Sequence, residues 1–154
     1  MNSKTVMLAL GSLGLIPFAA GAALISAGTR TLDLGIGAGI NPGFLFASYS
    51  AIILSFLGGV LWGRSLGLDA AGPGRNLLLL SNGIALLAWF GLLAGPDYFT
   101  LTLLALMLGY VVVLSAEQRL AEYVDYELLA PYMRMRFFLT NIVLAAHLVA
   151  LAFG

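Results

Sequence analysis

Cysteine is absent from this 154-residue chain, so disulfides, thiolate-bound metals, iron–sulfur clusters and cysteine nucleophiles are excluded. Charge is scarce: Asp, Glu, Lys and Arg make up 9% of the residues, against about 25% in soluble domains. Seven basic residues balance seven acidic ones, which leaves nucleic acid no electrostatic footprint to bind. Histidine occurs once, at His147, and without Cys it cannot complete the usual zinc ligand sets. No GxxxxGK[ST] or HExxH pattern is present, and no carboxylate sits near the middle of a long apolar run. Active transport coupled to protons lacks the residue it usually requires.

What the chain does have is apolar surface, at 61% of residues and a mean hydropathy of +1.02. Uncharged apolar runs lie at 6–28, 44–63, 77–95, 99–116 and 137–153, each near the ~20 residues that cross a bilayer core. An all-α membrane protein is predicted, a five-transmembrane-helix bundle forming a single transmembrane domain over 1–154. Turn signals punctuate the joints: Asn41-Pro42-Gly43, Gly72-Pro73-Gly74, Gly95-Pro96-Asp97, and Pro131 shortly before the fifth run. The first run exceeds the 7–15 apolar residues of a signal peptide, so an uncleaved helix is expected there. Between the fourth and fifth runs Leu120, Val124 and Leu128 recur every four residues among Glu117, Arg119, Glu122, Asp125 and Glu127. That spacing predicts a short amphipathic helix over about 117–130, lying on the inner surface before the last span.

Basic residues are retained on the cytoplasmic side, which fixes direction. Lys4, Arg64, Arg75, Arg119, Arg134 and Arg136 fall on one side of the five runs and Arg30 on the other. The amino terminus is therefore expected in the cytoplasm, or in the matrix of a mitochondrion, and the carboxyl terminus outside.

Three features could carry function. In the second run Ala47, Ala51, Ser55, Gly59 and Gly63 share four-residue spacing, a stripe of small side chains on which another helix backbone can approach closely. Gly59→Leu is expected to overpack that interface, and Gly58→Leu, about 100° away, to be milder. Secondly, Arg64, Asn82, Glu117, Arg136 and Asn141 all fall in the inner third of the spans, with Ser12, Ser81, Ser115 and Thr140 at similar depth. Polar groups in hydrocarbon turn inward and bond one another, so the set is either a bundle lock or a site for an anionic ligand. Arginines at helix ends also snorkel to headgroup phosphates, which would account for Arg64 and Arg136 without a ligand. Thirdly, His147 invites a haem, proton-relay or quinone reading. One imidazole makes no bis-histidine haem site in one chain, although Met107 lies at a comparable depth; no cofactor and no metal is expected, with haem contact through His147 left as the open cofactor reading.

Leu13-Gly14-Leu15-Ile16-Pro17-Phe18, the stretch 49–63 reading YSAIILSFLGGVLWG, and 131–140 reading PYMRMRFFLT belong together in one known pattern. The chain resembles the small membrane-protein family called domain of unknown function 3429, found in proteobacteria and related to a vertebrate mitochondrial transmembrane protein. That pattern places His before the Trp-Gly pair, whereas Leu61 precedes Trp62-Gly63 here; Arg136 followed by Leu139 and Thr140 is kept. The resemblance implies a multi-pass protein of a bacterial inner membrane, or of the mitochondrial inner membrane in a eukaryote, and supplies no reaction. Three functions stay open at this point. One is a non-enzymatic accessory subunit or assembly factor packed against other membrane-protein subunits of a respiratory or photosynthetic complex. Another is a binding or transport protein for a lipid headgroup, quinone or small anionic metabolite. The third is an intramembrane enzyme with Glu117 as acid or base and Arg64 or Arg136 stabilising an anion.

Overall fold

The computed structural model describes residues 2–33, 35, 39–68, 72–121 and 129–154. Among them the chain forms α1 (Ser3–Leu13), α2 (Ile16–Ser26), α3 (Pro42–Ser65), α4 (Pro73–Ala94), α5 (Phe99–Ala121) and α6 (Leu129–Phe153). Five segments are long and apolar enough to cross a membrane: α1 with α2 as Ser3–Ser26, then each of α3 to α6.

Helix ends lie outside the apolar runs for local reasons. Proline costs a first helical turn nothing, because its missing N–H has no intrahelical partner there, so α3 and α4 begin at Pro42 and Pro73 and not at 44 and 77. Pro131 likewise falls in the first turn of α6. The amphipathic helix expected over 117–130 is replaced at both ends: residues 117–121 are the last turns of α5, and 129–130 open α6. Its remaining residues, 122–128, lie outside the described residues. Glu117 is fully buried and Leu120 is buried while Gln118 and Arg119 are exposed, so this end of α5 packs one face and leaves the other open.

The first span is broken. Pro17 has no N–H and its ring crowds the carbonyl four residues back, so a helix cannot run through it undisturbed. The Leu15 N–H bonds Ser12 O at 3.1 Å, a tightened three-residue step, and α2 starts at Ile16. Tyr49 of α3 covers the break, its hydroxyl donating to Gly14 O at 3.0 Å.

The chain divides into two compact units, Met1–Tyr49 with Val124–Gly154, and Ser50–Tyr123. In the first, α1 and α2 both pack on α6. A Cβ on Gly11 would meet Leu139 Cδ1 and Met135 Sδ at 3.0 Å, so the missing side chain is what lets α1 reach α6. Seven residues further on, Phe18 meets His147 at 5.9 Å, and the matching advance along both chains makes the first span and α6 parallel. Gly21 serves α3 in the same way, a Cβ there standing 3.0 Å from Phe46 Cδ2.

In the second unit, made by the rest of α3 with α4 and α5, glycine again marks the closest approaches. A Cβ on Gly109 would stand 2.6 Å from Leu54 Cδ2, and one on Gly58 would stand 3.2 Å from Ile84 Cγ2 and 3.3 Å from Ser81 O. Hydroxyls then tie helix to helix by donating to a carbonyl beside a small residue: Ser81 Oγ to Gly58 O at 2.7 Å, Thr102 Oγ1 to Gly91 O at 3.0 Å, Tyr110 Oη to Ser50 O at 2.9 Å. A helical carbonyl already holds one backbone N–H and has a second lone pair to offer, which a neighbour reaches where no large side chain shields it.

The small-residue stripe of α3 does not stay on one face. Ala47 and Ala51 are buried and Ser55 half-buried, while Gly59 and Gly63 are exposed with nothing within 4 Å of an added Cβ. Each four-residue step turns about 40° past a full revolution, so five such positions sweep roughly 160° around a straight helix. The glycine that packs inside is Gly58, and the expectation that Gly59 is the tight position is corrected.

Candidate functional site

Azimuth sorts the polar residues of the spans that sequence position alone groups together. On α5 the buried positions Leu103, Leu106, Tyr110, Val113, Glu117 and Leu120 alternate steps of three and four, so Glu117 occupies the register of the apolar core. On α6, Arg136, Thr140, Val143, His147 and Ala150 do the same. Asn141 is one residue, about 100°, off that face: it is exposed, and its amide donates to Phe137 O at 2.8 Å on its own helix. Asn82 stands in the same relation to Ser81, exposed and donating to Leu78 O at 2.8 Å. Neither asparagine joins a buried cluster in its unit, and Arg64 is half-buried in the last turn of α3.

The buried members are then Glu117, 0% exposed, in the second unit and Arg136, 6% exposed, in the first. Charges taken out of water are costly unless bonded, and neither of these stands without an interaction, nor does Arg64. Thr140, one turn beyond Arg136, is also buried, and its Oγ1 makes no hydrogen bond among the described residues. Among those residues no group of three or more His, Asp or Glu side chains comes together as a metal site.

His147 is the centre of an aromatic group that the sequence did not announce. Phe46 stands edge-on to its ring at 4.8 Å, and Phe18 packs on Phe46 at 5.6 Å and on Tyr49 at 5.1 Å. Nδ1 of His147 lies 2.8 Å from Val143 O. A carbonyl only accepts, so Nδ1 carries the hydrogen and donates back along α6. With the ring 0% exposed, this geometry is that of an interhelical packing residue. Met107, the other residue weighed for a haem, belongs to the second unit and is half-buried in α5. The signal available in the sequence was the spacing of Phe46 and Tyr49, three apart on one helix face.

Each unit also carries an open groove walled by apolar side chains with basic residues among its lining. One of about 670 Å³ in the second unit lies between α4 and α5, with Asn76, Ser115 and Arg119 among its polar groups. The other, in the first unit, lies between α1 and α6 and includes Lys4 and Arg134.

The profile of the family described as a protein of unknown function, DUF3429, matches residues 3–152. The chain belongs to the DUF3429 family. No curated protein and no solved structure matches it. In this DUF3429 protein two of the blocks that carry the family resemblance meet at the helix break, where Tyr49 holds Gly14 and packs on Phe18. The third block supplies Arg136 and Thr140 to the buried face of α6 and Arg134 to its exposed side.

Proposed function

We propose that the protein is a non-enzymatic, multi-pass accessory subunit or assembly factor of a larger respiratory or photosynthetic complex, in a bacterial inner membrane or the mitochondrial inner membrane of a eukaryote. Its amino terminus lies on the cytoplasmic or matrix side in this reading. The supporting observation is the outward face of α3. Gly59 and Gly63 bracket the run Gly59-Val60-Leu61-Trp62-Gly63 and stand open, while Phe56 and Trp62 beside them are 67% and 44% exposed. Lipid tails pack on any apolar surface, so a bare glycine pair gains nothing from lipid; its advantage appears when a second helix backbone closes on it. Gly58 and Gly109 show the same chain using glycine in this way internally.

The test is migration of the mildly solubilised protein on a native gel. The wild-type chain should run with a larger assembly of defined partners, and Gly59→Leu or Gly63→Leu should release it at normal abundance. Migration at the mass of one chain or a homodimer, or an assembly indifferent to both leucines, would rule the reading out.

A further inference from the structure

The groove of about 620 Å³ in the first unit has a graded lining. Lys4, Leu8 and Leu15 stand on the wall of the first span, and Arg134, Phe138 and Ile142 on the wall of α6. Because these two segments run parallel, both cations fall at the same end and the apolar residues succeed them on both sides. At 1.5 Å per residue the walls extend about 16 Å from Lys4 to Leu15 and about 12 Å from Arg134 to Ile142, close to the ~15 Å of one hydrocarbon leaflet. No acidic residue occurs in α1 or α6, and neither basic side chain makes an ion pair with a described residue. α1 has no buried residue, so its groove face is open to whatever lies alongside in the membrane.

We propose that this groove holds one anionic glycerophospholipid, its phosphate between Lys4 and Arg134 and an acyl chain laid along Leu8, Leu15, Phe138 and Ile142. The guanidinium can grip two phosphate oxygens at once, and the ammonium adds a mobile point charge on a stem long enough to reach the interface. Cations at one end and a leaflet-deep apolar trough behind them match a lipid in both of its parts, whereas a free anion would use only the first. The groove uses none of the residues of the α3 face, and the proposal stands or falls independently of the subunit reading.

Delipidated full-length protein in detergent, titrated with dioleoyl phosphatidylglycerol or dioleoyl phosphatidylcholine and followed by native mass spectrometry, tests this. One phosphatidylglycerol should be retained in preference to phosphatidylcholine. Each basic residue removed should weaken that retention about fivefold, so Lys4→Gln with Arg134→Gln should weaken it roughly 25-fold. Lys4→Arg keeps the charge and should stay within about threefold of wild type, whereas Arg134→Lys keeps the charge but loses the two-oxygen grip and should fall between wild type and Arg134→Gln, a grading that misfolding would not give. Equal retention of the two lipids, or a double Gln variant indistinguishable from wild type, would overturn the proposal. So would displacement of the lipid by equimolar inorganic phosphate, since the trough would then contribute nothing. An equal loss from Arg119→Gln would place the lipid in the α4–α5 groove and also overturn it.

Discussion

A leucine at Gly58 puts four carbons into a space that does not comfortably take one. The first, Cβ, would lie 3.2 Å from Ile84 Cγ2 and 3.3 Å from Ser81 O. Ile84 is buried and the oxygen is backbone, so neither can swing aside and α3 must separate from α4. That separation also stretches the 2.7 Å bond from Ser81 Oγ to Gly58 O. Overpacking of this kind costs about 1–3 kcal/mol, and an interhelical hydrogen bond in a membrane averages about 0.6 kcal/mol, so about 2–4 kcal/mol is expected in total. For a chain of this size that lowers Tm by about 5–15 °C. Gly59→Leu, one residue away, meets open space and should leave Tm within about 2 °C. Thermal unfolding of the detergent-solubilised protein, read by monodispersity and by Trp62 and Trp89 fluorescence, compares the two directly. Gly59→Leu should then lose its assembly without losing stability, and Gly58→Leu should lose stability first. Equal Tm losses, or a larger loss at Gly59, would refute the assignment of inner and outer faces on α3.

Tyr49→Phe removes the donor from Gly14 O at the break in the first span but keeps the ring against Phe18; the loss of that interhelical bond should cost about 0.6–1.7 kcal/mol, or roughly 2–6 °C in the same assay, and an unchanged Tm would show that the break holds itself. Orientation is checked by Ser3→Cys and Gly154→Cys, each a sole thiol because the chain has no other. A membrane-impermeant reagent applied to intact cells or spheroplasts should label only the carboxyl-terminal position, and labelling at Ser3 alone would reverse the direction.

The number of spans was legible because composition alone demands it: an 18–25-residue apolar run has few alternatives to a crossing helix. Their ends were less so, since hydropathy counts the residues immersed in hydrocarbon while a helix continues until its backbone bonding is interrupted. Pro42 and Pro73 begin helices ahead of the apolar run, and α5 carries Glu117 and Arg119 beyond its own. The break at Gly14 and Pro17 escaped for the converse reason, because both residues count as tolerable in an apolar run and only their backbone chemistry divides it.

Depth in the membrane is likewise half of a position, and the missing half was present in the spacing. Leu77, Ser81, Ile84 and Ala88 on α4, the α5 series through Glu117, and Arg136, Thr140, Val143, His147 and Ala150 on α6 all repeat at alternating steps of three and four. A mean of 3.5 residues keeps a face turned to its neighbours in left-handed packing of helices at about +20°, whereas steps of four alone drift off it. Tested against that register, Ser81, Glu117, Thr140 and His147 pass and Asn82 and Asn141 fail. The same rule separates Arg136 from Arg134, two residues and about 200° apart on one helix. One guanidinium belongs to the packed interior and the other lines the open groove between α1 and α6, so substitutions at the two arginines should be scored by different assays, stability for Arg136 and lipid retention for Arg134.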